Sequence, residues 1–239
     1  YIQSNIVGFH NVLELSKRYA IKHFIYASSS SVYGGNENLP FREVDKVDHP
    51  ISIYAATKRS NELIAHTYSH LYDLPVTGLR FFTVYGPWGR PDMAPMLFAK
   101  SILKGEEISV YNSGQMMRDF TYIDDITEVI WRCCNKPATP DNEFNKLDPN
   151  PSTSFAPHRI FNVGNGVSIN LIDFIETLES ELDIKAKKVF MKLQKGDVIA
   201  THADTKKIKE WINFSPKINL KNGIHLFSKW FLGFYKDNY

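Results

Sequence analysis

Two short apolar runs with one helical stretch between them do most to limit what this chain can fold into. Lys22 to Ala27 and Val76 to Phe82 have the length and composition of buried strands, and the segment between them carries Tyr54, Lys58, Ile64, Tyr68 and Leu71 at helical spacing. Strands alternating with helices predict an α/β fold built on a parallel, doubly wound sheet. In such sheets ligands bind beyond the carboxyl ends of the strands. The serine-rich stretch Ala27-Ser28-Ser29-Ser30-Ser31-Val32-Tyr33-Gly34 and the loop Tyr85-Gly-Pro-Trp-Gly-Arg-Pro91 both fall there.

Ahead of the first strand, Ile2, Ile6, Phe9 and Leu13 are spaced 4, 3 and 4 apart and predict an amphipathic helix. It begins at Tyr1 without a run-up, so the chain is expected to be a fragment whose first part is missing. Gly34 to Pro50 reads as a polar loop. From Ala94 the pattern changes to a helix ending near Leu103, a strand from Ile108 to Tyr111, and the turn Asn112-Ser-Gly114 leading into Arg118-Asp119-Phe120. Residues 136 to 158 read as an exposed excursion. Leu171, Ile175, Leu178 and Leu182 mark a later helix, and Leu220, Ile224, Phe227, Phe231 and Phe234 a C-terminal apolar stripe. There is no internal repeat.

At 239 residues and 43% hydrophobic, the chain can bury a large core and is not disordered. Lys and Arg number 28 against 26 Asp and Glu, without a like-charge block, which excludes a nucleic-acid or anionic-membrane footprint. An anionic ligand must therefore be met by individually placed arginines. No apolar run approaches the roughly 18 residues of a membrane span, and residues 1 to 30 lack a secretory signal pattern. Adjacent Cys133 and Cys134 offer neither a disulfide framework nor a zinc pattern, as expected of reduced thiols in a cytoplasmic protein. His66 and His70 stand four apart, but no glutamate follows His66 and no third ligand is evident, so no metal is expected.

The chemistry centres on Tyr54-Ala-Ala-Thr-Lys58. Residues four apart share a helix face, so the Lys58 ammonium can lie beside the Tyr54 phenol and favour its phenolate. That shift would suit a general base, with Ser29 passing a proton between Tyr54 and a substrate hydroxyl. In a chain with 12 tyrosines such a pair arises about once by chance, and a plain amphipathic helix with a solvated lysine is the rival reading.

Context raises the pair above chance. Ser4-Asn-Ile-Val-Gly8, Ser28-Ser-Ser-Ser-Val-Tyr-Gly34, Tyr54 to Lys58, Leu79-Arg-Phe-Phe-Thr-Val-Tyr-Gly-Pro-Trp-Gly-Arg-Pro-Asp-Met93, Arg118-Asp-Phe-Thr-Tyr-Ile-Asp-Asp125, Gly196-Asp197 and Ala203-Asp204 occur in one order along nearly the whole chain. Together they resemble the extended short-chain dehydrogenase/reductase family, specifically its nucleotide-sugar epimerases of the UDP-glucuronate 4-epimerase type. The resemblance implies the C-terminal part of a Rossmann-type NAD-binding domain over residues 1–93. It implies a smaller substrate-binding lobe over 94–239, with segments near 119–135 and 159–163 returning to the Rossmann core.

It further implies NAD as cofactor and C4 inversion of a UDP-sugar through a transient 4-keto sugar, with Ser29, Tyr54 and Lys58 catalytic. Asn5, Ala27, Ser28, Tyr54, Lys58 and Phe81 match cofactor positions; Ser29, Ser30, Ser31, Thr83, Arg90, Tyr111, Arg118 and Asp197 match substrate positions. Three of these have rivals: a solvated charge for Arg90, an ion pair with Asp119 for Arg118, and a half-buried strand tyrosine for Tyr111. Lys195 stands where the pattern has proline. Ser30 and Ser31 replace the acidic residues of dehydratases and decarboxylases, which favours epimerisation. UDP-glucuronate is the expected substrate, with a neutral UDP-hexose or an N-acetylated sugar as alternatives. A homodimer is implied. The family's glycine-rich phosphate turn is not among the 13 glycines: Gly164-Asn-Gly166 runs into Val167, Ser168 and Ile169. The resemblance places that turn before Tyr1, and a noncatalytic fragment is the reading of another class.

Overall fold

A computed structural model describes residues 1–194 and 196–235; Lys195 lies outside the described residues. In chain order the first elements are α1 (Phe9–Arg18), β1 (Phe24–Ser29), α2 (Ile53–Tyr72), β2 (Val76–Phe81), β3 (Thr83–Tyr85), α3 (Ala94–Lys104), β4 (Glu107–Val110) and β5 (Met117–Tyr122). They continue as α4 (Ile123–Cys134), β6 (His158–Val163), β7 (Ser168–Asn170), α5 (Leu171–Leu182), β8 (Lys187–Phe190), α6 (Lys206–Ile212) and α7 (Leu220–Tyr235).

The chain forms two compact units. The first comprises residues 1–82, 128–163 and 203–214; the second comprises 83–127, 164–202 and 215–239. The break at Phe82 precedes the boundary expected at residue 93, because β3 pairs with β5 and carries residues 83–93 with it. Residues 119–127 likewise stay in the second unit.

In the first unit β1, β2 and β6 form a parallel sheet with β2 in the middle, the α/β arrangement of a Rossmann-type fold. Its helix α2 starts at Ser52, whose hydroxyl accepts from the Ala55 N–H at 3.1 Å, and stops where Asp73 turns left-handed at φ 50°. Ala55, Ala65 and Tyr68 of α2 are buried, and Ala65 and Tyr68 pack with Leu13, Tyr26 and Val76. The expected N-terminal helix forms in two parts, π-helical over Ile2–Gly8 and then α1. Only Leu13 of its apolar stripe is fully buried; Ile2 is 60% exposed. Residues 136–158 are less exposed than their composition suggests. Ala138, Ser152, Ser154 and Ala156 are buried, and Arg159 clips the segment by donating to the Thr139 and Pro140 carbonyls.

The second unit holds β3, β5 and β7 in one sheet and β4 with β8 in another. Its core joins Phe98 and Ile102 of α3, Phe174, Ile175, Leu178 and Leu182 of α5, and Ile224, Phe227 and Phe231 of α7 to Tyr85, Phe120 and Tyr122 of the sheet. Each such ring or branched side chain contributes on the order of 1.5–3 kcal/mol by leaving water. The strand expected to end at Tyr111 ends at Val110. Tyr111 begins a 3-10 turn in which Asn112 and Ser113 adopt positive φ.

Candidate functional site

Each unit presents its own group of candidate residues. In the first unit they gather where β1 ends and α2 begins. Ser29 closes β1 with extended backbone, and its hydroxyl accepts from the Ser31 N–H at 3.2 Å, capping the 3-10 turn Ser30–Tyr33. Accepting that bond leaves the Ser29 O–H proton to be donated elsewhere. The turn stops at Gly34, at φ 53°, where a Cβ would collide with the His49 carbonyl oxygen. Only glycine suits that corner.

Tyr54 and Lys58 share one face of α2, with the Lys58 ammonium 5.8 Å from the centre of the Tyr54 ring. Lys58 Nζ donates to the Ala27 carbonyl at 3.0 Å, tying the helix to the end of β1. Partial burial lowers the Lys58 pKa. Tyr54 also meets the ring of Tyr1, with centroids 5.5 Å apart. The ammonium has three N–H donors and the Ala27 carbonyl takes one, so the remainder fit a vicinal diol such as the ribose of a nicotinamide nucleotide.

The other residues matched to the cofactor have protein partners. The Asn5 side chain donates to Thr57 at 2.9 Å while the Asn5 backbone carbonyl accepts from the Asn61 side chain, and the buried Ser28 hydroxyl donates to Glu62 at 2.6 Å. Phe81 ends β2 in register with Ser29.

In the second unit a cavity of about 590 Å³ brings together Thr83, Tyr111, Arg118 and Asp197 of the expected residues. Met93, Phe98, Phe120 and Leu171 form much of its apolar wall, and Gln194 adds an amide. Arg118 is held in the lining by three acceptors. Nη2 donates to Asp197 at 2.8 Å, and Nη1 donates to the carbonyls of Met117 and Ile199. Burial lowers the Arg118 pKa, with Asp197 pulling the other way. Asp119 is not its partner: that carboxylate is fully buried and accepts from the N–H groups of Asn165 and Gly166. Arg90 lies outside the cavity lining and forms a two-pronged pair with Asp92, at 3.0 and 2.7 Å. Asp92 does line the cavity.

The two histidines four apart in α2 have local partners in the first unit. His66 shares a hydrogen bond with the Ser154 hydroxyl at 2.8 Å and meets His158 edge-on, while His70 meets Phe155 edge-on. The sequence reading passed over Arg80. This charge in an apolar strand is fully buried and reaches the α2 carboxylate of Glu62. An arginine inside the run Val76–Phe82 was the available signal.

Residues 1–164 match the family described as Epimerase, NAD dependent epimerase/dehydratase family. The chain is 54% identical over 236 residues to Protein CapI of Staphylococcus aureus, a match covering 99% of this chain and 71% of that protein. It is 44% identical over 243 residues to the probable UDP-glucuronate 4-epimerase of Rhizobium meliloti, covering 100% of this chain and 69% of the relative. Among solved structures, the UDP-glucuronic acid 4-epimerase of Bacillus cereus, in complex with UDP-glucuronic acid and NAD, superposes with a TM-score of 0.83 at 30% identity. That superposition covers 98% of this chain and 69% of the other.

Proposed function

The chain belongs to the NAD dependent epimerase/dehydratase family, and from that premise we propose that it is an NAD-dependent nucleotide-sugar 4-epimerase acting on UDP-glucuronate to give UDP-galacturonate. The observation that carries the chemistry is Lys58, 5.8 Å from the Tyr54 ring centre and bonded to the Ala27 carbonyl. It holds a cation beside a phenol at the end of a parallel strand. NAD, when bound, supplies the hydride acceptor and donor at C4.

The protein's own residues handle the proton. Tyr54 takes it from the C4 hydroxyl, directly or through the Ser29 hydroxyl, and gives it back when the 4-keto sugar is reduced. Lys58 orients the ribose hydroxyls and keeps a cation beside the phenol. Proton transfer of this kind is worth on the order of 10²–10⁴ in rate. Ala27, Ser28, Asn5 and Phe81 set the walls on the cofactor side.

Recognition of the nucleotide falls to the second unit. The Arg118 guanidinium offers paired charge-assisted donors to a diphosphate, and Asp197 accepts from the nucleotide ribose. Tyr111 supplies a face for the uracil and Arg90 a further cation. Thr83 adds a hydroxyl to the lining of the second unit's cavity, and the hydroxyls of Ser29, Ser30 and Ser31 suit the uronate carboxylate. No glutamate or aspartate stands in that serine run to promote its loss.

Exposed Val12 and Leu15 on α1, with Leu63 and Leu71 on α2, support a homodimer through those helices. Two unpaired cysteines support a cytoplasmic setting. The test is to incubate the full-length protein and NAD with a panel of UDP-sugars and follow C4 by NMR. The expected result is interconversion of UDP-glucuronate and UDP-galacturonate in preference to UDP-glucose and UDP-N-acetylglucosamine. Carbon dioxide release from UDP-glucuronate, or inversion confined to the neutral sugars, would refute the assignment.

A further inference from the structure

Across the sheet of the first unit, Ser28 of β1, Arg80 of β2 and Asn162 of β6 are register neighbours and therefore share one face. Strands of a parallel sheet are buried on both faces and are expected to carry Val, Ile and Leu there. These three are polar, with exposures of 3%, 0% and 0%. Above the row stands Glu62 of α2. Its Oε1 accepts from Ser28 Oγ at 2.6 Å and from Arg80 Nε at 2.8 Å, and its Oε2 accepts from Arg80 Nη2 at 2.9 Å and from Arg59 Nη1 at 3.0 Å.

Arg80 Nη1 donates to the Tyr33 hydroxyl at 3.0 Å, and that hydroxyl donates to Asn162 Oδ1 at 2.7 Å. The backbone N–H of Asn162 in turn donates to the Glu43 carboxylate at 3.0 Å. Burial raises the Glu62 carboxyl, but Arg80, Ser28 and Arg59 outweigh it and hold the group below the ordinary carboxylate range. Both charges are thus kept in a dry site.

The spacing links this row to the catalytic pair. Tyr54, Lys58 and Glu62 are four residues apart in succession and stack along one stripe of α2, each about 6 Å beyond the last. Two consecutive residues of β1 hold two consecutive turns of that stripe: the Ala27 carbonyl takes Lys58, and the Ser28 hydroxyl bonds to Glu62. An apolar contact would allow α2 to slide along its axis, whereas a forked guanidinium on a carboxylate accepts one register only.

We propose that Glu62 and Arg80 are positioning residues that lock the axial register of α2 on β1, so that Tyr54 and Lys58 stand at the end of that strand. The catalytic part of this inference rests on the function proposed above. The registry part rests on the hydrogen-bond geometry alone.

Two variants test it. Glu62→Leu with Arg80→Met removes both charges together and leaves neither buried alone. Arg80→Lys keeps the charge beside Glu62 but loses the fork and the bond to Tyr33, and it decides the matter should the double variant not fold. Circular dichroism establishes folding. Competitive acetylation of the protein without cofactor or sugar, read at Lys58 by peptide mass spectrometry, then gives the titration midpoint of that amine.

Registry loss lets water reach Lys58, so its midpoint should rise by at least about half a pH unit in either folded variant. With NAD and UDP-glucuronate, kcat should fall at least tenfold in the double variant while KM stays within threefold. A folded Arg80→Lys protein whose Lys58 midpoint matches the parent's overturns the positioning role, whatever its turnover. A raised midpoint in the variants, with a full-length parent that inverts no UDP-sugar, leaves the registry role standing and refutes the substrate reading.

Discussion

Glu62 and Arg80 in the first unit have side chains with 0% exposure, whereas Arg118 and Asp197 in the second keep 15% and 35% of theirs. Arg90 and Asp92, also in the second, keep 70% and 67%. The arginine–carboxylate chemistry is the same in all three pairs, but water decides its use. In the dry pair every guanidinium nitrogen and both carboxylate oxygens bond to protein with no water at hand, so the ions fix geometry and do not present themselves to a ligand. In the half-wet pair a phosphate can replace part of the protein's own acceptor set at little cost, which suits recognition. The buried pair is built to hold one arrangement, whereas the second pair keeps part of its surface open to water.

The sharpest way to break this contrast is Glu62→Gln. It keeps the shape but leaves Arg80 buried without a counter-charge, and the expected loss of about 3–5 kcal/mol would appear as a lower denaturant midpoint. Asp197→Asn, by comparison, should cost no more than about 1 kcal/mol of stability. Equal losses would erase the distinction between the two pairs.

Acid offers the next largest effect. Burial, with a smaller contribution from His66, pushes the His158 imidazole in the first unit down to about 3. The folded pKa is depressed, so the unfolded chain binds the proton more readily at every pH between about 3 and the ordinary histidine value near 6.5. His158 therefore takes nothing from stability above about pH 6.5. Its penalty grows as pH falls through that window, reaching on the order of 2–3 kcal/mol at pH 4.5. Comparing urea midpoints at pH 7.5 and 4.5 for the parent and His158→Leu should show a shallower pH dependence in the variant. Superimposable pH profiles would remove His158 as the cause.

The smallest of the three changes sharpens the other half of the comparison. Arg118→Ala should raise KM for the UDP-sugar by about 10–100-fold, the equivalent of losing charged hydrogen bonds worth roughly 1.5–3 kcal/mol, with kcat within about threefold. A fall in kcat at constant KM would place Arg118 in the chemical step instead.

The sequence made some of these features legible and concealed others. Period and length sufficed for β1, α2, β2 and the apolar face of α5, where Leu171, Ile175, Leu178 and Leu182 are all buried. They misjudged Ile2, which is 60% exposed in a π-helical start whose side-chain period is not that of an α-helix. Spacing of four residues was enough to put Lys58 beside Tyr54. It could not supply the partner of Arg118, since Asp119 is adjacent in sequence but alternates to the other side of β5, and Asp197 arrives from 79 residues away. The polar row stayed hidden for the same reason: Ser28, Arg80 and Asn162 become neighbours only through parallel register, which no local pattern encodes.

The division of labour between the units is tested most directly by steady-state kinetics of Tyr54→Phe with UDP-glucuronate and NAD. Because only the phenolic oxygen is lost, kcat for C4 inversion should fall by about 10²–10⁴ while KM and the unfolding midpoint stay close to those of the parent. Turnover equal to the parent's would contradict it.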